Sequence, residues 1–336
     1  MAAPAWHSAG MTILVTGGAG YIGSHMVWAL HDAGERVVVL DDLSTGFRRA
    51  LPEDVPLILG DFGDETLVAG LLAQHDVDAI VHFAAKIVVP DSVADPLGYY
   101  LNNTAKARSL IACAVAAGVK HFIFSSTAAV YGEPKQMPVV EDGPTAPISP
   151  YGRSKLMVEW MLEDTARAHP LRYTILRYFN VAGADPKGRT GQSTPDATHL
   201  IKVAVQAALG RRKQLEVFGT DYPTPDGSCL RDYIHVSDLV QAHVDALATL
   251  RAGGGNLVCN VGYGKGFSVL DVIGVVKRVS GVDFPVVLSP RRPGDPAAIV
   301  ASNARVRREL GWTPRYDDLD IIVRGALDWE RRLHNL

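Results

Sequence analysis

The sequence is poor in cysteine and carries almost no net charge. Its 336 residues include three cysteines, Cys113, Cys229 and Cys259, which are far apart in sequence. Because no CxxC pair occurs, the sequence indicates neither a disulfide framework nor a zinc site, and we expect no metal. The formal charge of −3 argues against a nucleic-acid-binding surface.

Long apolar runs are also missing. No stretch approaches the roughly 18 apolar residues of a membrane-spanning helix, so no membrane partner is predicted. Residues 1–10 lack both the basic segment and the apolar core of a secretion signal. We interpret them as a disordered extension before Met11, and we expect a cytoplasmic protein. The chain is long enough to bury a substantial core.

Buried-strand patterns alternate with helical patterns in the first half of the chain. The strand patterns cover 12–15, 36–40, 56–59, 79–82, 121–124 and 173–176, and the helical ones include 65–74, 97–117 and 151–169. This alternation predicts an α/β fold with a Rossmann-type, doubly wound parallel sheet. After about residue 180 the pattern becomes irregular. We therefore predict a nucleotide-binding domain over 11–180 and a smaller mixed α/β carboxy-terminal substrate lobe over 181–336, interleaved with the first.

A glycine-rich loop joins the first strand to the first helix. Gly17, Gly20 and Gly23 form G-x-x-G-x-x-G, a spacing that allows a tight turn and close approach of a pyrophosphate to a helix start. Asp41 ends the next strand, where a carboxylate accepts from a ribose 2′-hydroxyl and repels a 2′-phosphate. The loop therefore predicts NAD over NADP. The alternatives are a plain strand–turn–helix, or a 2′-phosphate bound by Arg48–Arg49.

A second group of reactive side chains follows the apolar strand His121–Phe124. Thr127 ends a Ser-Ser-Thr run at the carboxyl edge of the predicted sheet, and Tyr151 and Lys155 share one helix face. A phenol has a pKa near ~10, and a nearby ammonium lowers it. Tyr151 can then accept a hydroxyl proton whose oxygen Thr127 also binds. The plain alternative is a surface tyrosine and a solvated lysine on an amphipathic helix.

Several motifs together resemble one family over nearly the whole chain from Met11. They are TGGAGYIGSH, HFAA, FSSTAAVYG, SPYGRSKLMVE, LRYFNVAGA, DYPTPDGSCLRDYIHV, SPRRPGDPA and RRELGW. They resemble the extended short-chain dehydrogenase/reductase family, and within it the enzymes that invert C4 of UDP-glucose and UDP-galactose. The resemblance implies transient hydride transfer to a tightly held NAD, through a 4-keto sugar. Other nucleotide-sugar 4-epimerisations, including that of UDP-N-acetylhexosamines, remain the alternative.

The resemblance also implies roles for individual residues. Catalytic roles fall on Thr127, Tyr151 and Lys155. Cofactor contacts fall on Gly17, Gly20, Tyr21, Ile22, Gly23, Asp41, Asp61, Phe62, Phe83, Ala84, Ala85, Asn102, Tyr151, Lys155 and Phe179. Substrate contacts fall on Thr127, Tyr151, Asn180, His199, Leu200, Phe218, Arg231, Tyr233, Arg292, Asp295 and Ile299.

Two positions depart from the family pattern. His199 precedes Leu200 where many relatives carry Asn, so it either replaces an amide contact or is a plain loop residue. Ile87 stands where many relatives carry Lys, so Lys86 need not fill that contact.

Two other functions compete with epimerisation. A 4,6-dehydratase needs an acid and a base directly after the active-site Thr, and Ala128-Ala129 supply neither. An NAD-sensing regulatory protein would typically lose Tyr151 or Lys155, and both are present.

Relatives also suggest the assembly and the substrate range. They pair the two helices around 97–117 and 150–169 with their copies, and both segments are apolar on more than one face, so we expect a homodimer. The place of Ile299 faces the hexose 2-substituent in relatives, where Tyr excludes N-acetylated sugars. Ile is smaller than Tyr, so we expect some weaker activity on those sugars. The plain alternative is that Ile299 simply packs in the core.

Overall fold

The computed structural model describes residues 11–195, 197–292 and 295–333. Its strands are β1 Thr12–Thr16, β2 Arg36–Asp41, β3 Leu57–Leu59, β4 Val77–His82, β5 His121–Thr127, β6 Arg172–Tyr178, β7 Asn180–Ala182, β8 Leu215–Phe218, β9 Leu230–His235, β10 Leu257–Val261, β11 Gly266–Ser268, β12 Val286–Ser289 and β13 Ala298–Ile299. Its α-helices are α1 Tyr21–Asp32, α2 Glu65–Gln74, α3 Val89–Ala94, α4 Pro96–Tyr99, α5 Lys106–Ala116, α6 Pro150–Ala168, α7 Leu200–Ala208, α8 Val236–Arg251, α9 Val269–Ser280, α10 Ala304–Leu310 and α11 Leu319–Leu333. The predicted extension over 1–10 lies outside the described residues.

A seven-stranded parallel sheet forms the larger layer, in the order β10-β6-β5-β4-β1-β2-β3. The chain proceeds outward from β1 in one direction through β2 and β3, and returns to the other side of β1 at β4. Ligands of open α/β sheets bind where the strand order reverses in this way, beyond the carboxyl ends of the strands. The predicted doubly wound fold is confirmed.

Apolar side chains of the sheet alternate between two cores. Ile13 and Val15 of β1 belong to the core that includes residues of α1 and α8, while Leu14 belongs to the core on the other face, with α2, α5 and α6. Successive side chains of a strand point to opposite faces of the sheet, and helices cover both faces. Both faces of the strands are therefore apolar. The helices therefore cover both faces and leave the strand ends available.

The carboxy-terminal half contributes two smaller sheets. Strand β9 pairs with β7, β11 and β13, and β8 pairs with β12. However, α8 packs against β5 and β6, and β10 is the edge strand of the large sheet. The boundary near residue 180 stays a prediction, with later segments returning to the first layer.

The helix predicted over 97–117 is present as a continuous helical segment over 96–116, but it is not a regular α-helix throughout. It consists of α4, a π-helix over Tyr100–Ala105, and α5. The wider π turn accompanies buried Asn103, whose side chain bonds residues of two other segments. The helix predicted from Tyr151 is confirmed as α6, with Ser149 accepting from the Gly152 N–H at 3.1 Å.

Candidate active site

The glycine loop leaves no room for side chains at two of its glycines. Gly17 has φ +70°, and a Cβ there would lie 2.6 Å from the Ala84 nitrogen. A Cβ on Gly23 would lie 2.1 Å from the Gly17 carbonyl oxygen. Helix α1 begins directly after Gly20, without a side-chain cap or an acidic residue in its first turn. Its first N–H groups, including those of Tyr21 and Ile22, are therefore suited to a pyrophosphate.

Asp41 is held at the end of β2 by backbone donors. One carboxylate oxygen accepts from the Ala19 N–H at 2.9 Å and the other from the Leu43 N–H at 2.8 Å. Burial raises the pKa of Asp41, against these hydrogen bonds, which lower it. Each oxygen keeps a free lone pair, which a ribose hydroxyl fits. Arg48 instead donates to the carbonyls of Pro52 and Glu53, so this half of the alternative, a 2′-phosphate bound by Arg48–Arg49, is not favoured.

The segment after β3 carries the next two predicted cofactor residues, Asp61 and Phe62. Asp61 accepts from Lys106 at 2.6 Å, a partner that the sequence analysis missed. Burial acts to raise the pKa of Asp61, but the Lys106 ammonium and the Gly63 N–H hold it below its usual value. Phe62 is buried beside this pair.

The segment after β4 carries three further predicted cofactor residues. The N–H groups of Phe83 and Ala84 both donate to the Thr16 carbonyl, which fixes the segment beside the glycine loop. Ala85 follows them and is partly buried, while Lys86 is exposed and its ammonium lies 3.9 Å from Asp95.

The two asparagines after Tyr100 have different roles. Asn103, not Asn102, is buried, and it exchanges two hydrogen bonds of 2.9 Å with the Lys86 backbone. It also donates to Ser154 Oγ at 3.1 Å, on the helix that carries Tyr151. Asn102 donates to Asn103 and stays partly exposed. This positioning role of Asn103 is not among the predicted ones, although an asparagine in the middle of a helix was a signal for it.

Three consecutive residues of β5 contact one face of α6. The Ser125 carbonyl accepts from Lys155 Nζ at 2.9 Å, and Ser126 Oγ donates to Glu159. The Thr127 hydroxyl lies near Tyr151 and acts to lower the pKa of its phenol. The helix positions 151, 155 and 159 are four residues apart, so they form one row along the helix. Thr127, Tyr151 and Lys155 are thus brought together as predicted.

The charges in this row differ from the sequence-based expectation. Burial raises the pKa of Tyr151 and outweighs the effect of the Thr127 hydroxyl, which lowers it. The prediction that Lys155 would lower this pKa is wrong for the chain by itself. Burial also lowers the pKa of Lys155 to about 7, against the raising effect of the Glu159 carboxylate. With this pKa, about half of the Lys155 side chains are neutral at pH 7. They then stabilise a Tyr151 phenolate less than a fully charged ammonium would.

Glu159 itself is a site residue that the sequence analysis missed. Its carboxylate accepts from Arg177 Nε at 3.0 and 3.1 Å, and both side chains are buried. Arg177 NH1 continues the network to the Tyr131 hydroxyl at 2.9 Å, which in turn donates to Asn260 at 2.7 Å. The four-residue step from Lys155 to Glu159 was the available signal.

The predicted diphosphate-binding residues cluster around β8, β9 and the segment before β13. Asp295 lies 3.0 Å from Arg292 and 3.8 Å from Arg231, and the Arg292 guanidinium stacks over Phe218 at 4.6 Å. Strand β13 places Ile299 beside Arg231 in register. Two forked donors, a carboxylate and an aromatic ring suit a nucleoside diphosphate.

Most of the remaining predicted substrate residues surround one cavity. Asn180 pairs in register with Tyr233, and both line the cavity together with Tyr21, His199 and Leu200. His199 precedes α7 without capping it.

Phe179 and Ile299 lie in a different place. Both are buried in a separate apolar cluster with Tyr131 and Leu156, next to the end of β5. Within the described ranges, no group of three or more His, Cys, Asp or Glu side chains is arranged to hold a metal ion.

The chain resembles known proteins over almost its full length. The model of the NAD dependent epimerase/dehydratase family matches residues 13–262. A UDP-glucose 4-epimerase of Azospirillum brasilense is 60% identical, covering 96% of this chain and 92% of that protein. The crystal structure of UDP-glucose 4-epimerase from Brucella ovis in complex with NAD has a TM-score of 0.92 and 44% identity, covering 95% of this chain and 98% of that one.

A third similar structure is named for two sugars. The UDP-Glc/GlcNAc 4-epimerase of Campylobacter jejuni has a TM-score of 0.84 and 48% identity, covering 96% of this chain and 100% of that one. On the length of the family match and these identities, the chain belongs to the NAD dependent epimerase/dehydratase family.

Proposed function

We propose that this chain interconverts UDP-glucose and UDP-galactose by reversible epimerisation at C4, with NAD as its resident cofactor. The observation that carries the proposal is the placement of Thr127, Tyr151 and Lys155 at the carboxyl edge of a dinucleotide-binding sheet. A bound NAD would supply reversible oxidation of the C4 alcohol, so that the sugar passes through a 4-keto form. The glycine loop and Asp41 fit such a dinucleotide.

The chain's own residues handle the proton and the oxygen. Tyr151 accepts the proton of the C4 hydroxyl and returns it, while Thr127 binds the same oxygen. Lys155 is anchored on the Ser125 carbonyl, from where it can donate to a ribose hydroxyl and keep positive charge close to Tyr151. Burial excludes water from this group, which strengthens each of these interactions.

The nucleotide of the substrate is bound away from the reacting carbon. Arg231 and Arg292 donate to the diphosphate, with Phe218 stacked against Arg292. Asp295 accepts from a ribose hydroxyl while remaining paired with both arginines. Such anchoring leaves the hexose free to turn over in the pocket, which C4 inversion requires.

A panel of nucleotide sugars tests the proposal. We expect purified protein to convert either UDP-glucose or UDP-galactose into the same equilibrium mixture when products are separated. A 4-keto-6-deoxy product would indicate a dehydratase. That outcome is disfavoured because Ala128 and Ala129 follow Thr127 directly and neither can transfer a proton. No conversion of any sugar would contradict the proposal.

We also propose a cytoplasmic homodimer with a role in galactose metabolism. Leu97 and Leu101 are 79% and 61% exposed, and Trp160 on the adjoining α6 is 52% exposed. Large apolar side chains at this exposure favour a covered surface, and a second copy fits the expected symmetric contact. The three cysteines are buried free thiols, which suits a reducing compartment. In the described ranges, no helix is both long and apolar enough to cross a membrane.

A further inference from the structure

The loop after β7 lies along the helix that begins at the glycine loop. The Tyr21 hydroxyl donates to the Gly183 carbonyl at 2.7 Å. One turn further along α1, Ser24 Oγ and Thr190 Oγ1 are hydrogen-bonded at 2.8 Å, and both side chains are fully buried. Two consecutive turns of α1 therefore hold the loop over 183–190.

The far end of the same helix holds the loop a third time. Arg189 donates to Asp32 at 2.9 Å and to Asp185 at 2.8 Å, and its guanidinium stacks over the Trp28 ring at 4.3 Å. These contacts are partly exposed, so each adds less than a buried contact would. Together they fix the direction of the loop. Its first residue, Gly183, lines the cavity that Asn180 and Tyr233 also line.

Gly183 is confined from two sides. It has φ +89°, and a Cβ there would lie 2.7 Å from the His235 ring. The Tyr21 hydroxyl binds its carbonyl from the other side. Because Gly183 directly follows β7, this bond also fixes the strand that carries Asn180. Tyr21, Asn180 and Gly183 line the same cavity.

We propose that the Tyr21 hydroxyl is a positioning group for the UDP-sugar, acting through Gly183 and β7. Tyr21 is the first residue of α1, so one residue joins the cofactor loop to the wall of the cavity that Asn180 lines. C4 of the hexose must reach Tyr151 in both orientations of the sugar. The UDP part of the substrate must therefore be held at a fixed distance from the cofactor. The inference rests on the proposed UDP-hexose function and adds a residue to it.

The variant Tyr21→Phe tests this, because it removes one oxygen and keeps the ring. We expect the Kd of UDP, measured by titration calorimetry, and the KM of UDP-galactose to rise about three- to tenfold, the usual range for one neutral hydrogen bond. The NAD(H) released on denaturation should stay at the wild-type level, because the backbone N–H at the start of α1 is retained. Ser24→Ala loosens the same loop and should raise the Kd of UDP by a smaller factor.

Tyr99→Phe is the matched control. It removes another hydroxyl-to-carbonyl hydrogen bond of 2.7 Å, to Val88, outside this loop, and should leave the Kd of UDP unchanged. A lowered Tm in Tyr21→Phe with an unchanged Kd of UDP would overturn the inference, and so would loss of NAD(H). If the Phe variant does not fold, an unchanged Kd in Ser24→Ala overturns it. Failure of the wild-type protein to bind UDP would overturn the proposed function as well.

Discussion

Replacing Lys155 by Met should stabilise the protein while abolishing its activity. The ammonium of Lys155 is buried, and its hydrogen bond goes to a neutral acceptor, the Ser125 carbonyl. The nearest carboxylate on the same helix face, Glu159, is already paired with Arg177. Met has a similar length and no charge, so the variant removes a desolvated cation without leaving an unpaired anion behind.

The size of the effect follows from the pKa of Lys155. A fall from 10.5 to about 7 corresponds to about 5 kcal/mol of destabilisation when the ammonium is charged in both states. The lost hydrogen bond to the Ser125 carbonyl offsets roughly 1–2 kcal/mol of that gain. At pH 7 the variant should therefore be more stable by about 3 kcal/mol.

The pH dependence gives the sharper test. Since the pKa in the folded state is the lower one, the unfolded chain binds more protons between pH 7 and 10.5, and wild-type stability rises with pH there. The advantage of Lys155→Met should shrink by about 1.4 kcal/mol per pH unit and be nearly gone at pH 9. Urea unfolding of both proteins, stripped of nucleotide, measures this difference.

Lys202→Met serves as the control for burial of a lysine as such. Lys202 is also buried, but it pairs with Glu330 at 2.5 Å. Arg211 also binds Glu330, at 2.7 Å, so the carboxylate keeps one partner. Loss of the charge-assisted hydrogen bond of Lys202 should destabilise the protein by about 2 kcal/mol, opposite in sign to Lys155→Met. A Lys155→Met protein that is less stable than wild type at pH 7, or a difference that does not change between pH 7 and 9, would refute the reasoning.

Four further predictions concern the catalytic base, the cofactor, the sugar and the assembly. Tyr151→Phe should lower kcat ~10²–10⁴-fold at unchanged NAD(H) content, and Thr127→Ala should lower kcat by a smaller factor. Near-normal turnover of the Phe variant would show that Tyr151 is not the base. Denaturation of protein purified without added nucleotide should release NAD(H), and mainly NADP(H) in the supernatant would contradict the Asp41 argument. Ile299→Tyr should lower kcat/KM for UDP-N-acetylgalactosamine relative to UDP-galactose, the main substrate; an unchanged ratio means that Ile299 is not the gate. Leu101→Glu should be a monomer when its molar mass is measured by light scattering. A wild-type protein that is already monomeric would contradict the proposed homodimer.

The elements that build the site could be predicted because their signals are local. Helix α2 has the predicted bounds, β1 is one residue longer than predicted, and β5 extends three residues beyond the predicted apolar run, to Thr127. Each is set by a short-range pattern: apolar runs for buried strands, glycine spacing for the loop, and Pro150 at the first turn of a helix. The fold followed from their alternation.

The contacts between distant segments could not be predicted in the same way. Lys106 binds Asp61 across 45 residues of sequence, and Tyr21 binds Gly183 across 162. No local pattern specifies such partners, because packing brings the segments together only after the sheet has formed. The π-helix is of the same kind, since it accompanies the bonds that Asn103 makes to the segment after β4 and to α6.

The direction of the Tyr151 pKa shows why spacing alone misled the electrostatic prediction. Two residues four apart on a helix are neighbours, but burial penalises the charge of both the phenolate and the ammonium. Arg177 occupies the Glu159 carboxylate in a bidentate pair, so that Lys155 is not tied into an ion pair of its own. The ammonium is then held by the Ser125 carbonyl and lies 4.9 Å from the centre of the Phe124 ring, both neutral groups, which leaves its charge available to Tyr151 and to a ribose hydroxyl. The same burial of its charge lowers the free energy of unfolding. Lys155→Met should therefore make the protein more stable and inactive at the same time.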